Sequence, residues 1–283
     1  AAPTRNPESF LSEAEDFTAQ GKLGQAIEAY EQAIIADPTN ASTFIALARV
    51  QLLAGQYEEA LENAEYGLMR SPNNSMALTI KAWALNYMED YLGAEAAIGQ
   101  AIEADANNAL AYAVYAEILL DQGNYEDIET AISLSRRAQE LAPNALETHR
   151  IRGYVLFYTA NYAEAAAEYQ AAIAINDKLW DLHYSLGAIY KALGEYDMAV
   201  QEMLAAVALN PTNPDILTEI SRTYAAVGQF GKAVQYAEQA LSLDPSNPRL
   251  HGNLGVMFYK SDEYARAADE LSLAVRGGTT ADG

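Results

Sequence analysis

Apolar residues recur along this chain at helical spacing, in pairs of segments too short to bury their own apolar faces. The stretch from Trp180 to Asn213 shows it most clearly. Leu186, Gly187 and Tyr190 share one face of a first helix, and Ala199, Met203 and Ala206 share one face of a second. Gly194 stands where the first helix must stop, since glycine takes the left-handed conformation without steric cost. Pro211 stands where the second must stop. Two such helices need neighbours like themselves, and the chain supplies them. Numbered from the start of each unit, Gly21, Gly55, Gly123, Gly194 and Gly228 hold place 15. Tyr57, Tyr91, Tyr125, Tyr162, Tyr196, Phe230 and Tyr264 hold place 17, and an alanine holds place 20 in all eight units, from Ala26 to Ala267. The predicted units are 7–40, 41–74, 75–108, 109–145, 146–179, 180–213, 214–247 and 248–281, with a linker at 1–6 and a tail at 282–283.

The period of 34, the Leu-Gly-x-x-Tyr run at Leu186–Tyr190, and the alanine and proline places resemble the tetratricopeptide repeat family. The resemblance covers nearly the whole chain. It implies an all-α, right-handed superhelical solenoid of eight helix-turn-helix repeats, with first helices lining a concave channel where most members bind proteins or peptides.

Irregular units carry their own expectations. Ser9 or Ser12 is placed to cap the opening helix. Repeat 3 has Glu89 for the glycine and Ala106 for the proline, so its helices are expected to run slightly longer. Repeat 4 carries three extra residues between Tyr125 and Ala131. Inside a helix they would turn its face by about 300°, so they belong in an extra first turn of the second helix, which Glu126, Asp127 and Glu129 favour. The last unit runs into Arg276-Gly277-Gly278-Thr279-Thr280 without a polar cap, which leaves Leu271, Leu273 and Val275 partly bare.

On a helical wheel, places 2, 5, 6, 9, 12 and 13 of each first helix form the expected channel wall. Six basic and eight acidic residues fall there, so most of the net charge of −22 lies elsewhere. Trp83, Tyr87, Tyr154, Phe157, Tyr158 and Tyr184 gather on the wall of the middle units. They are either anchors for a partner or filling for the coil's interior. Asn86 lies among them, and Arg49, Arg150, Lys191 and Arg222 are placed to orient a ligand. Members that grip chaperone C-termini carry lysine and asparagine at places 5 and 9. No unit here does.

Strong acidity disfavours nucleic acid and anionic membrane as partners. No apolar run is long enough to span a bilayer. The absence of cysteine removes thiol chemistry and disulfides. His149, His183 and His251 all hold place 4 of separate units, where they face the second helix and have a structural role. No H-x-x-x-H pair, phosphate loop or G-x-S-x-G elbow occurs, so no catalytic, cofactor or metal residue is assigned. The sequence therefore predicts a module that binds a peptide or helix of a protein partner, as a monomer or weakly self-associating chain. Two alternatives stand beside it: a structural module stacking through its uncapped C-terminal end, and a non-catalytic arm of a larger protein. The residues specify no compartment, cytoplasmic or extracytoplasmic.

Overall fold

Alanine sets the geometry. Ala26, Ala60, Ala94, Ala131, Ala165, Ala199 and Ala233 are 0% exposed and Ala267 is 2% exposed, one in the second helix of each repeat. Opposite them, place 8 of each first helix is also small: Ala14, Ala48, Ala82, Ala116, Gly153, Gly187, Ser221 and Gly255. Small residues on both sides let two helix backbones approach closely.

The computed structural model describes residues 6–276. The paired helices are α1 (Pro7–Ala19) with α2 (Leu23–Ala36), α3 (Ala41–Leu53) with α4 (Tyr57–Arg70), and α5 (Ser75–Tyr87) with α6 (Tyr91–Ala104). Then come α7 (Ala109–Asp121) with α8 (Ile128–Leu141), α9 (Leu146–Tyr158) with α10 (Tyr162–Ile175), and α11 (Trp180–Leu193) with α12 (Tyr196–Leu209). The last are α13 (Pro214–Ala226) with α14 (Phe230–Leu243) and α15 (Pro248–Lys260) with α16 (Tyr264–Arg276). The fold is all-α, with no strand among the described residues. It divides into two compact units, Ala1–Lys178 and Leu179–Gly283.

Asparagine opens most first helices. The side chains of Asn6, Asn40, Asn74, Asn108, Asn213 and Asn247 each accept a hydrogen bond from a first-turn N–H, satisfying a donor that the helix leaves unpaired. Asn6, not Ser9 or Ser12, therefore caps α1. The turns between paired helices close on a left-handed residue. Glycine fills that position in five repeats, and Glu89, Ala160 and Asp262 adopt it at φ 61–64° in the other three. The expected lengthening of repeat 3 is thus corrected: α5 and α6 have 13 and 14 residues, like their neighbours. Glu89 bears a left-handed backbone at a cost of about 1 kcal/mol, while the Asp90 N–H bonds the Leu85 carbonyl at 2.9 Å and the Asp90 side chain caps α6. The insertion in repeat 4 is a single 3-10 turn, Tyr125–Asp127, leading directly into α8. At the other end, Leu271 and Val275 are exposed and Leu273 is half-buried. The expected linker and stop at 1–5 and 277–283 lie outside the described residues.

The first helices also pack on one another: α3 on α5, α5 on α7, α7 on α9, and α13 on α15. This contact buries places that the wheel assigned to an open wall. Ile45, Thr79 and Ala113 at place 5, Ile80, Val114 and Ile151 at place 6, and Leu52, Asn86 and Leu120 at place 12 are all buried. Places 2, 9 and 13 carry most of what stays open.

Candidate functional site

In the first unit, a polar network runs through the contact between α5, α7 and α9. Glu117 on α7 is 5% exposed. It accepts hydrogen bonds from the Tyr87 hydroxyl at 3.1 Å and from Arg150 at 3.0 Å. One turn later, Asp121 accepts from the Tyr154 hydroxyl and from the Asn86 amide, both at 2.6 Å. The Arg150 guanidinium lies 5.0 Å from the centre of the Trp83 ring, and Tyr87 stacks between Trp83 at 6.3 Å and Tyr57 at 4.7 Å. Three successive first helices are thereby tied together through side chains.

Burial governs the electrostatics here. It pushes the Glu117 carboxyl up, Arg150 opposes the shift, and the nearby Asp121 adds to it. Burial likewise pushes the Tyr87 phenol far up, reinforced by Glu117, and the Tyr154 phenol far up, reinforced by its bond to Asp121. Both hydroxyls stay neutral donors. The Glu117–Arg150 pair is nearly dry, so removing either partner strands a charge.

The predicted site residues of this unit fall at different depths. Trp83 is 2% exposed, with its indole N–H unpartnered among the described residues, so it is not open to a ligand as the chain stands. Asn86 is 3% exposed. Tyr87, Tyr154 and Phe157 are half-buried, and Tyr158 is exposed. Phe157 packs on Tyr162 at 5.6 Å. Arg49 is exposed and ion-paired with Glu147 on α9.

In the second unit, Tyr184 is half-buried on α11 beside Trp180. Lys191 and Arg222 both bind Glu219 at 2.8 Å. Burial pushes the Glu219 carboxyl up, but its bonds to Lys191 and Arg222 outweigh that and hold it below the usual carboxylate range. Arg222 also reaches Asn253 at 3.4 Å, and Arg249 pairs with Asp215. The basic residues chosen to orient a ligand are therefore already engaged with carboxylates of first helices, Arg150 across to α7, Lys191 across to α13, Arg49 across to α9 and Arg222 within its own helix.

The histidines face their own second helices, as expected. Nδ1 of His149, His183 and His251 lies 2.6, 2.7 and 2.6 Å from Glu168, Glu202 and Glu270 respectively. Among the described residues, no three His, Cys, Asp or Glu side chains converge as a metal site. No described helix is long and apolar enough to cross a membrane.

Glu117 and Asp121 were not singled out from sequence, although they hold the network together. The signal was present: they are the only charged residues of α7, four apart on an otherwise apolar helix. Tyr57, at place 17, opens a second helix and Trp180 holds place 1 of its unit, so neither falls on the wall places.

Tetratricopeptide repeat models match residues 17–84, 81–145, 180–213 and 218–282. The chain belongs to the tetratricopeptide repeat family. It is similar to the heat-shock protein cognate (HSC) co-chaperone sgt12 of Aspergillus fumigatus. The two are 33% identical over 106 residues, 38% of this chain and 31% of the relative. Among solved structures, a chain of the APC/C hetero-tetramer Cut9-Hcn1 superposes with a TM-score of 0.67 at 19% identity, covering 90% of this chain and 48% of that one. MamA 41-end from Desulfovibrio magneticus RS-1 gives 0.53 at 21% identity, covering 59% and 93%. These structural likenesses support the repeat fold alone. The chain spans about a third of the curated relative's length and about half of the Cut9-Hcn1 chain's.

Proposed function

We propose that this tetratricopeptide repeat chain is a non-catalytic scaffold that grips a peptide or helix of a protein partner on its first-helix faces. Residues 7–281 act as one array, each compact unit contributing its own stretch of face. The observation that carries this reading is the set Tyr154, Phe157 and Tyr158 on α9. None of the three is fully buried, and Tyr154 is fixed by its bond to Asp121. Aromatics held in place before binding lose little freedom when a ligand covers them. Trp83, Tyr87 and Asn86 support this row, together with Arg150 on Glu117, and Arg49, the more exposed of the two arginines, orients a partner by exchanging one carboxylate for another. Tyr184, Lys191 and Arg222 offer the same chemistry in the second unit.

Family membership supports a protein as the partner, as does the name of one relative, a co-chaperone. The co-chaperone's own role is not carried over, since no repeat here has lysine and asparagine at places 5 and 9.

The test compares pull-downs by the parent and by the double variant Tyr154→Ala with Tyr184→Ala. Tyr154→Phe serves as the control for the lost bond to Asp121. Partners of the parent should fall about tenfold, equal to about 1.4 kcal/mol, with helicity unchanged by circular dichroism. A normally folded double variant that keeps every partner at parental strength contradicts the reading.

A second reading, stacking through the end of the array, has its own observation. Leu68, Ile102, Val207 and Leu241 hold place 28 of inner repeats and are partly buried. Val275 holds the same place on α16 and is 87% exposed. Hydrogen exchange of α16 at rising protein concentration separates the readings. Slow, concentration-dependent exchange favours stacking, and fast exchange at every concentration favours the scaffold alone.

A further inference from the structure

The first helices of the second unit invert the sign of the molecule's charge. The chain carries −22, yet the wall places of α11, α13 and α15 hold Lys191, Arg222, Arg249 and Lys260 against Asp181, Asp215 and Glu219. The excess is concentrated. An open cavity of about 580 Å³ between α13 and α15 is lined by Arg222, Arg249 and Lys260 and by no carboxylate, over an apolar floor that includes Ala225, Val256 and Met257.

Two of these cations are available to a ligand, while Arg222 is held by Glu219. Lys260 is exposed and has no ion-pair partner among the described residues. Arg249 and Asp215 have side chains 59% and 49% exposed. A pair so well solvated contributes little and exchanges readily for another carboxylate. A cavity with low-dielectric walls and one sign of charge also concentrates the opposite charge from solution.

Spacing defines the ligand further. Arg249 and Lys260 are eleven residues apart on one helix, which sets them about 16 Å apart at about 1.5 Å per residue. One carboxylate cannot serve both. An extended segment rises about 3.3 Å per residue and presents alternate side chains to one side, so two carboxylates four or six residues apart reach both ends of the groove from the same face. At a spacing of four the side chain midway between them then points to the apolar floor, and at a spacing of six the two that lie two residues in from each carboxylate do.

We propose that this groove takes an extended internal segment of a protein partner, with two side-chain carboxylates four or six residues apart and an apolar side chain between. The proposal rests on the scaffold reading above and adds the chemistry of the partner on the second unit. The ligand's charge comes from side chains and not from a chain terminus, because two separated cationic positions must be met.

The test uses the full chain and three N-acetylated, C-amidated, fluorescein-labelled peptides, read by fluorescence anisotropy. The first is Gly-Ser-Glu-Ser-Leu-Ser-Glu-Ser-Gly. The others replace both Glu by Gln or by Lys. The acidic peptide should bind about tenfold more tightly than the Gln peptide, and the Lys peptide should not bind. Its affinity should fall as salt rises from about 50 to about 500 mM. The double variant Arg249→Glu with Lys260→Glu, both exposed positions, should lose the acidic peptide at unchanged helicity. Equal binding of the acidic and Gln peptides overturns the proposal. So does retention of the acidic peptide by the charge-reversed variant. If no peptide binds while the parent still recovers partners that depend on Tyr154 and Tyr184, this proposal alone fails. If those partners are independent of the aromatics as well, the scaffold reading fails with it.

Discussion

Nδ1 of His251 lies 2.6 Å from a carboxylate oxygen of Glu270, on the helix facing it in the last repeat. The same two places, 4 and 23, carry His149 with Glu168 and His183 with Glu202. In the other five repeats, neither place holds either residue. The pair is thus a unit of sequence, joining the two helices of a repeat by a polar clasp that the other five lack.

The His251 clasp is the driest, with the ring 2% exposed and Nε2 also 2.9 Å from the Pro245 carbonyl oxygen. His251→Ala should cost about 3 kcal/mol, because Glu270 is left without its partner. Glu270→Gln should cost about 1 kcal/mol, because a hydrogen bond survives. Both appear as faster hydrogen exchange in α16, which packs mainly on α15. His183→Ala, at a wetter pair, should have the smaller effect of the two alanine variants. Equal and negligible effects would show that the clasps contribute nothing to the pairing.

Glycines should split into two classes. A Cβ at Gly153 would sit 2.6 Å from the Tyr169 ring, in the tight crossing of α9 and α10, whereas nothing lies within 4 Å of one at Gly231 on α14. Gly153→Ala should destabilise by about 2 kcal/mol through overpacking. Gly231→Ala should stabilise by up to about 1 kcal/mol through helix propensity. Denaturant unfolding of the two variants beside the parent checks the opposite signs.

Acid should act in opposite directions on the two units. Glu117 has its pKa raised by burial. Its folded form holds the proton more tightly than the unfolded chain does, so its contribution to stability is lost as pH rises from the ordinary carboxylate value through the folded pKa. Glu219, held low by Lys191 and Arg222 against the opposing effect of burial, contributes stability above the ordinary value, lost as pH falls through its folded pKa. Lowering pH from neutral should first raise the protection of α7, with exchange corrected for its intrinsic pH dependence, and, below about pH 4.3, reduce that of α13. Glu117→Gln and Glu219→Gln should each remove the trend in their own helix. Parallel trends in α7 and α13 would contradict the assignment.

The repeat frame was legible because helix pairing rests on short-range features: small residues at places 8 and 20, a stop at place 15, a proline at the end. The site was legible only in part. A wheel drawn for one helix treats every side away from its partner as open, but α3, α5, α7 and α13 each also pack on the next first helix. That second contact takes Thr79, Trp83, Asn86 and Glu117 out of solvent. Nor does a wheel show that Glu147 pairs with Arg49, 98 residues earlier. Glu89 misled for a different reason. Its side chain disfavours the left-handed turn by only about 1 kcal/mol, less than the packing of a whole repeat supplies.

The most direct test of the scaffold account is oxidative footprinting of the chain alone and in complex with a partner recovered by the parent. The probes on the first-helix face are Tyr158, 39% exposed, and Tyr259, 62% exposed. Those off it are Met69, Leu92 and Tyr125, between 73% and 84% exposed. The account predicts that one or both of Tyr158 and Tyr259 are protected in the complex, while Met69, Leu92 and Tyr125 are oxidised at the free rate. Protection of Met69, Leu92 or Tyr125, with Tyr158 and Tyr259 unchanged, would place the partner off the first-helix face and contradict the account.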